Sequence, residues 1–415
     1  MIRTTDWPAL LAGFMATLSG VGLSRFAYTA LLPQVVHAGW FTGEQAAYIG
    51  AANLLGYLVG ALAAAPLADR WPAKRVLLAA WLVVTVSFLA ECVAQPMSVF
   101  FFWRCAAGVA GGVLMVLGPS LAMAATPVAR RATLGPMMFC GIGFGALISA
   151  SLVPALASLS LSAAWLALAA VCGLATWVGW RALQRLDEAV APVVVAGGEG
   201  SKGESASAGQ TVSVITPHLQ AAAMASTWTL AVVLLLLAYM TDGFGFVPHT
   251  VFWADYLARE LNLGTGYASA QWAFFGLGAI VGPLTLGLAA SRWGWWRVGV
   301  AAFALKALAI GLPLWGASAA VHAVSGLLVG ALSPGMSAVV SGYLMQLIGP
   351  AQHKRMWGLS TAGFSLTQAA SGALMAWLYT QLGAYRPLFA IGCAALWLGC
   401  AMVVAMRWCR PARLA

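Results

Sequence analysis

Long apolar stretches separated by short polar segments recur along the whole chain. A helix that crosses a lipid bilayer needs about 20 mostly apolar residues. Twelve such stretches lie near 8–33, 45–67, 75–94, 98–124, 132–154, 160–181, 228–256, 266–290, 296–315, 318–346, 354–380 and 385–407. Residues 186–226 break the pattern, because they are rich in Gly, Ser and Ala, a composition typical of flexible linkers. The pattern predicts an all-α integral membrane protein with twelve transmembrane helices.

The composition argues against a water-soluble protein. The chain has 415 residues, of which 62% are apolar and only 8% are charged, too few charges to cover a water-facing surface. The first apolar run is too long for a cleavable signal peptide, so we expect it to be the first membrane helix. The seven cysteines form no pattern typical of metal or disulfide sites. We therefore expect membrane lipid around the protein and no bound metal.

The basic residues indicate how the helices are oriented. With a cytoplasmic N-terminus and twelve alternating spans, sixteen of the 21 Lys and Arg residues fall in cytoplasmic segments, and only Arg259 and Arg386 fall on the other side. Cytoplasmic loops of membrane proteins carry such an excess. We expect a multi-pass protein of the inner (cytoplasmic) membrane with both termini in the cytoplasm. The net charge of +10 then requires no nucleic-acid partner.

Similar features recur at a nearly constant distance along the chain. Arg70 and Arg292, which lie in basic turns, are 222 residues apart, and Gly22 and Gly243 are 221 residues apart. This offset indicates a duplicated unit, with a binding site expected between the two copies near mid-membrane. The predicted units are an N-terminal six-helix bundle, a flexible cytoplasmic linker and a C-terminal six-helix bundle, at residues 1–185, 186–226 and 227–415.

Three basic residues lie inside the apolar stretches, where a charge is costly unless it faces a cavity or a partner. Arg25 lies deep in the first stretch and is the leading candidate for a cavity-facing cation. Arg104 either faces the cavity or reaches the headgroups at the membrane surface. Lys306, on a stretch expected at the periphery, could form a structural pair. Tyr28 lies one turn after Arg25 and either extends a polar patch or packs in the core.

Asp242 is the clearest acid near mid-membrane. A buried carboxyl group can bind and release a proton, so we expect Asp242 to carry a coupling proton, with His249 two turns further along as a possible relay. The alternatives are a fixed ion pair of Asp242 with Arg25 or Lys306, and a packing role for His249. Glu91 is expected at the membrane surface.

Three amides lie inside predicted spans and are weaker candidates. Asn53, Gln271 and Gln368 could each hydrogen-bond the solute, or could instead hold helices together. The sequence leaves both roles open.

The turn after the second stretch carries the most specific motif, Gly60, then Pro66-Leu67-Ala68-Asp69-Arg70, then Lys74-Arg75. It resembles the signature of the major facilitator superfamily (MFS), although Ala65 and Pro72-Ala73 depart from it. Arg104-x-x-x-Gly108 is similar to the superfamily's pattern on the fourth helix. The resemblance implies a twelve-helix carrier with two bundles. Asp69, Arg70, Lys74, Arg75 and the second-half Arg292 are the expected residues of a conformational hinge, the alternative being a basic loop that only sets topology.

The run from Arg25 to Pro33, Arg-Phe-Ala-Tyr-Thr-x-Leu-Leu-Pro, resembles the YbfB/YjiJ-type branch of the superfamily, with Ser24 in place of the usual Gly. The resemblance extends through Asn53-Leu54-Leu55-Gly56-Tyr57. It implies a carrier but supplies no substrate.

We therefore predict a secondary transporter, functional as a monomer, that moves a small organic solute by alternating access. Basic residues outnumber acids inside the spans, which favours an anionic solute, and the proton gradient is the expected energy source. No Walker sequence, Gly-x-Ser-x-Gly or His-Glu-x-x-His occurs, so we expect neither an enzyme nor a cofactor. The alternatives are efflux of amphipathic compounds by proton antiport, favoured by the 19 Trp and 17 Phe, and a non-transporting membrane receptor or sensor.

Overall fold

The computed structural model describes residues 3–195 and 228–409, which are almost entirely helical and contain no β-strand. The helices are α1 (Thr4–His37), α2 (Gly43–Arg70), α3 (Ala73–Ala90), α4 (Met97–Ala124), α5 (Val128–Ala157), α6 (Leu161–Val195), α7 (Leu230–Glu260), α8 (Gly264–Trp293), α9 (Trp295–Trp315), α10 (Ala319–Leu382) and α11 (Arg386–Ala405). The prediction of an all-α chain is confirmed.

Eleven helices within these residues are long and apolar enough to cross a membrane. Ten lie on the first ten predicted spans and the eleventh on the last. The predicted span at 354–380 lies in the second part of α10, beyond a break at Gly349, which has φ 72° and ψ 173°. Many Ser, Thr and Gly residues make this part less apolar than the other helices. Twelve transmembrane helices therefore stay a prediction.

The predicted linker begins inside a helix. Residues 186–195 form the last turns of α6, and 196–226 lie outside the described residues. Side chains on α1 to α4 and α7 to α10 supply most of the buried apolar core.

Helices α1 and α7 share an irregular backbone at mid-length. The π-helical segment Leu18–Leu23 precedes a turn at Ser24 and Arg25 in α1. In α7 a turn residue, Phe246, precedes the π-helical segment Pro248–Phe252. Both segments are buried within the protein, where such backbone is tolerated at membrane depth. Arg25 and Phe246 thus occupy matching positions, 221 residues apart.

The two irregular helices also touch each other at matching residues. The Thr29 hydroxyl donates a hydrogen bond to the Thr250 carbonyl oxygen, and these residues are again 221 apart. Contacts between equivalent positions are expected where a two-fold pseudo-symmetry axis passes.

Glycines allow α2 to pack against α4 in the same way that α8 packs against α10. A side chain on Gly56 or Gly60 would collide with the carbonyl oxygen of Cys105 or Val109, and one on Gly278 or Gly282 with that of Leu327 or Ala331. Every residue of the first set lies 222 positions before its counterpart. Small residues at such interfaces let membrane helices approach closely.

Replacing either glycine of a matching pair should destabilise the protein. We expect Gly60→Ala and Gly282→Ala each to cost about 1–3 kcal/mol, because the added methyl group forces two helices apart. The midpoint of thermal unfolding in detergent measures the effect. Gly358→Ala is the matched control, since a methyl group there meets no atom within 4 Å. Unchanged midpoints for both test variants would contradict the close packing.

Candidate functional site

Arg25 lies at the turn in α1, and its side chain is buried, with 6% of the residue's surface exposed. Its Nη1 donates a hydrogen bond of 2.6 Å to Gln368 Oε1 on the second part of α10. Its Nε and Nη2 atoms have no hydrogen-bond partner among the described residues. The predicted pair of Arg25 and Gln368 therefore meets in space, and two donors remain for a ligand.

A cavity of about 550 Å³, the large cavity, lies beside Arg25. Its aromatic lining consists of Phe26, Tyr57, Tyr239, Phe246, Trp357 and Phe364. The hydroxyl groups of Ser333, Ser337 and Thr361 also line it. The volume and the mixture of apolar walls with a few polar groups are typical of small-molecule sites.

The Arg25 guanidinium lies over several of these rings. Its Cζ atom is 5.5 Å from the ring centroid of Phe26, 5.9 Å from that of Tyr57 and 5.3 Å from that of Phe246. The aromatic faces stabilise the cation in part, but none of them neutralises its charge.

A second, small cavity of about 230 Å³ lies on the other side of Arg25 and is lined also by Tyr28, Thr29, Asn53 and Arg104. Arg25 therefore separates two cavities. The large one extends along the transmembrane helices toward the end that carries the basic turns at Arg70 and Arg292.

Arg104 is held by a network of its own. Its Nη2 donates a 2.6 Å hydrogen bond to the Ser24 carbonyl oxygen, and its Nη1 lies 3.6 Å from Glu91 Oε2. Glu91 is fully buried, so the prediction that it lies at the membrane surface is wrong. A buried arginine needs an acid partner, and the last turn of α3 supplies one. The guanidinium also lies 4.8 Å from the ring centroid of Tyr28.

Asp242 forms a buried ion pair with Lys306. Oδ1 of Asp242 lies 2.6 Å from Lys306 Nζ, and both side chains are inaccessible to solvent. Nζ also lies 4.5 Å from the Phe246 ring centroid. The structural pair with Lys306 that the sequence left open is thus present, and Phe246 lies against both this pair and Arg25.

His249 lies in the π-helical segment of α7, stacked on Trp253 at 4.4 Å between ring centroids. Its Nε2 lies 2.7 Å from Ser325 Oγ, which donates its own proton to the Ala309 carbonyl oxygen. The hydroxyl oxygen is then the acceptor, so the proton of the neutral ring is on Nε2. The Nδ1 atom has no partner among the described residues.

The buried charges are almost completely paired. Arg104 is paired with Glu91, Lys306 with Asp242 and Arg259 with Asp255. Within the described residues, Arg25 is the buried cation with no carboxylate at ion-pair distance. The site thus carries one uncompensated positive charge inside an aromatic cavity.

Comparison with known proteins identifies the family. The family model described as "Uncharacterised MFS-type transporter YbfB" matches residues 17–405. The chain belongs to this family of MFS-type transporters. It is therefore a multi-pass membrane protein and a transporter, not an enzyme, and the predicted resemblance is confirmed.

Two curated transporters are similar to this MFS-type chain. The 4-hydroxybenzoate transporter PcaK of Pseudomonas putida is 26% identical over 306 residues, covering 69% of this chain and 67% of the relative. The 3-(3-hydroxy-phenyl)propionate transporter of Escherichia coli (strain K12) is 29% identical over 144 residues, covering 35% of this chain and 34% of the relative. Both names describe transporters of aromatic acids.

The other predicted binding residues of this MFS-type transporter have mixed surroundings. The Tyr28 hydroxyl donates to the Ala46 carbonyl oxygen at 2.9 Å. The Asn53 amide donates to the carbonyl oxygens of Ser24 and Arg104, so it links α1, α2 and α4. Gln271 lies on α8 against the first part of α10, and it is not among the described residues that line either cavity.

The predicted hinge residues of the transporter lie at one end of the molecule. Asp69, Arg70, Arg75 and Arg292 are exposed there, at the ends of α2, α3 and α8. Lys74 donates a 3.2 Å hydrogen bond to the Leu183 carbonyl oxygen on α6.

Several residues of the large cavity escaped the sequence analysis. Tyr239, Trp357, Thr361 and Phe364 look like ordinary residues of membrane helices, and no local motif sets them apart. Phe246 had one usable signal, because the 221-residue offset places it opposite Arg25.

Proposed function

We propose that this transporter moves a small aromatic carboxylate and binds it at Arg25 in the large cavity. The uncompensated charge of Arg25 carries this proposal. A buried charge without a counter-ion costs several kcal/mol, and a bound carboxylate would remove that cost. The two free guanidinium donors, Nε and Nη2, suit the two oxygens of a carboxylate.

The preference for an aromatic anion is supported by the walls of the cavity. Tyr239 stacks on Phe364 with 4.6 Å between ring centroids, and Phe246 lies 5.6 Å from the same ring. Flat rings of this kind stack well on an aromatic ligand. The two aromatic acids in the names of the similar transporters fit the same chemistry.

We further propose two six-helix bundles that alternate access to the site. The support is the matching glycine contacts 222 residues apart and the contact of Thr29 with Thr250. With the basic turns in the cytoplasm of an inner-membrane protein, both termini are cytoplasmic and the large cavity faces the cytoplasm. Since one chain contains every residue of the site, the proposed functional unit is a monomer in lipid that takes a small-molecule solute and no nucleic acid.

The opposite end of the cavity system is covered by a second charged cluster. Asp255 accepts hydrogen bonds from Arg259 and from the Tyr385 hydroxyl, and the Glu260 carboxylate accepts from the Tyr385 backbone N–H at 2.5 Å. The Arg259 guanidinium also lies against Gly43, at the start of α2. In the proposed cycle these contacts between α7, α11 and α2 break when the outer side opens, while the turns around Asp69 and Arg292 close the inner side.

Proton coupling is the proposed energy source, and no cofactor is required. Asp242 would take up the proton, with His249 as a possible relay through its free Nδ1. Protonation of Asp242 releases Lys306 as a second free cation beside Phe246 and so strengthens attraction of an anion at Arg25. Proton and anion would then bind cooperatively, as symport requires.

Counterflow in proteoliposomes tests the proposal directly. Vesicles loaded with unlabelled 4-hydroxybenzoate should accumulate the labelled acid, and the cationic dye ethidium should neither compete nor accumulate. Ethidium counterflow without acid counterflow would support efflux of amphipathic compounds instead. Saturable binding of the acid without any counterflow would indicate a receptor.

A further inference from the structure

Thr361 exposes a hydroxyl group to the large cavity that nothing else in the described structure satisfies. Its Oγ1 is buried and has no hydrogen-bond partner among the described residues, and only 5% of the residue's surface is exposed. A threonine within a helix usually donates to a carbonyl oxygen of its own preceding turn, as Thr285 does. A buried unsatisfied hydroxyl is costly, so this one is available to a ligand.

A second hydroxyl pair lies on the wall of the same cavity. The Tyr239 hydroxyl and Ser337 Oγ are 2.9 Å apart, and both residues line the cavity with Thr361. Each of the two oxygens can still accept a hydrogen bond. Donors and acceptors for a neutral polar group are therefore clustered at one place.

These hydroxyls lie at a distance from Arg25 that suits one aromatic ring. Thr361 precedes Gln368, the partner of Arg25, by seven residues on α10, which is about 10 Å along a helix axis. Tyr239 precedes Phe246, which also contacts Arg25, by seven residues on α7. Both helices thus present a hydroxyl group about two turns from the cation.

We propose that the large cavity selects aromatic carboxylates that carry a hydroxyl group opposite the carboxylate, with Thr361 as the specificity-determining residue. The carboxylate binds Arg25, the ring stacks in the aromatic walls, and the distal hydroxyl binds Thr361 beside the Tyr239 and Ser337 pair. This inference rests on the proposed function.

Binding of three acids to the purified protein tests the inference. Benzoate lacks a hydroxyl group, 4-hydroxybenzoate has it at the far end, and 2-hydroxybenzoate has it beside the carboxylate. We expect the wild type to bind 4-hydroxybenzoate about fivefold to tenfold more tightly than benzoate, the usual effect of one hydrogen bond. We expect 2-hydroxybenzoate to gain nothing from Thr361.

Thr361→Val replaces the hydroxyl group by a methyl group of similar size. We expect this variant to bind 4-hydroxybenzoate no better than benzoate, while its affinity for benzoate stays within about twofold of the wild type. Thr361→Ser should keep the preference, because it keeps the hydroxyl group. Thr285→Val is the matched control, since that hydroxyl donates to its own helix away from the cavity.

The outcomes separate this inference from the proposed function. If Thr361→Val keeps the wild-type preference, or the wild type shows none, while Arg25→Gln abolishes binding of all three acids, the inference is wrong and the anion site stands. If the wild type binds none of the acids, both are wrong.

Discussion

Replacing Arg25 by glutamine is expected to weaken binding of an aromatic carboxylate at least about thirtyfold and to abolish its counterflow. Each hydrogen bond to a charged group contributes about 1.5–3 kcal/mol, and the two free donors of Arg25 would supply two such bonds. Glutamine keeps a polar side chain but removes the charge. Binding of the labelled acid to purified protein measures the loss, and counterflow confirms that transport stops.

The stability of the same variant gives an independent readout. Because Arg25 has no acid partner among the described residues, removal of its charge should leave the thermal unfolding midpoint unchanged or raise it, as expected of a residue kept for function. The matched control is Arg386→Gln, at an exposed arginine that donates to the Leu314 carbonyl oxygen. Wild-type affinity in Arg25→Gln would exclude Arg25 as the anion site.

Asp242→Asn should destabilise the transporter by about 3–5 kcal/mol, the usual effect of removing one partner of a buried ion pair. The variant leaves Lys306 buried without its carboxylate partner. The double variant Asp242→Asn with Lys306→Met removes both charges and should recover most of the stability. Thermal unfolding of the two variants and the wild type measures this.

Proton coupling separates the pair's two roles. The double variant should catalyse counterflow of the acid but fail to accumulate it against a gradient when the outside is made acidic. Full accumulation driven by a pH gradient in the double variant would show that Asp242 does not carry the proton. If Asp242→Asn alone is as stable as the wild type, the ion pair contributes nothing to the fold.

Much of the architecture could be predicted because it depends on local composition. Each membrane helix requires its own run of apolar residues, so eleven helices appear where the sequence placed them. The second part of α10 was predicted as a span on the same ground, although its Ser and Thr residues make it the least apolar. These hydroxyl groups reflect the position of that helix beside the cavity, as Thr361 shows.

The site could be predicted only where a residue is anomalous by itself. Arg25 and Asp242 attract notice because a charge is rare inside an apolar stretch. Glu91 was misplaced because its distance from the end of α3 says nothing about the neighbouring helix that carries Arg104. Tyr239 and Trp357 could not be found, since an aromatic residue that lines a cavity has the same sequence signature as one that faces lipid.

The sequence by itself determined the helices, the excess of buried positive charge and the 221–224-residue repeat, because apolar runs, charges and offsets are properties of the linear chain. Only the tertiary structure decided which charges neutralise one another. Ion pairing depends on contacts of a few ångströms between distant helices, and these contacts pair Arg104 with Glu91 and Lys306 with Asp242. Arg25 is left with Gln368 and an aromatic cavity, so three apparently similar buried cations have different surroundings.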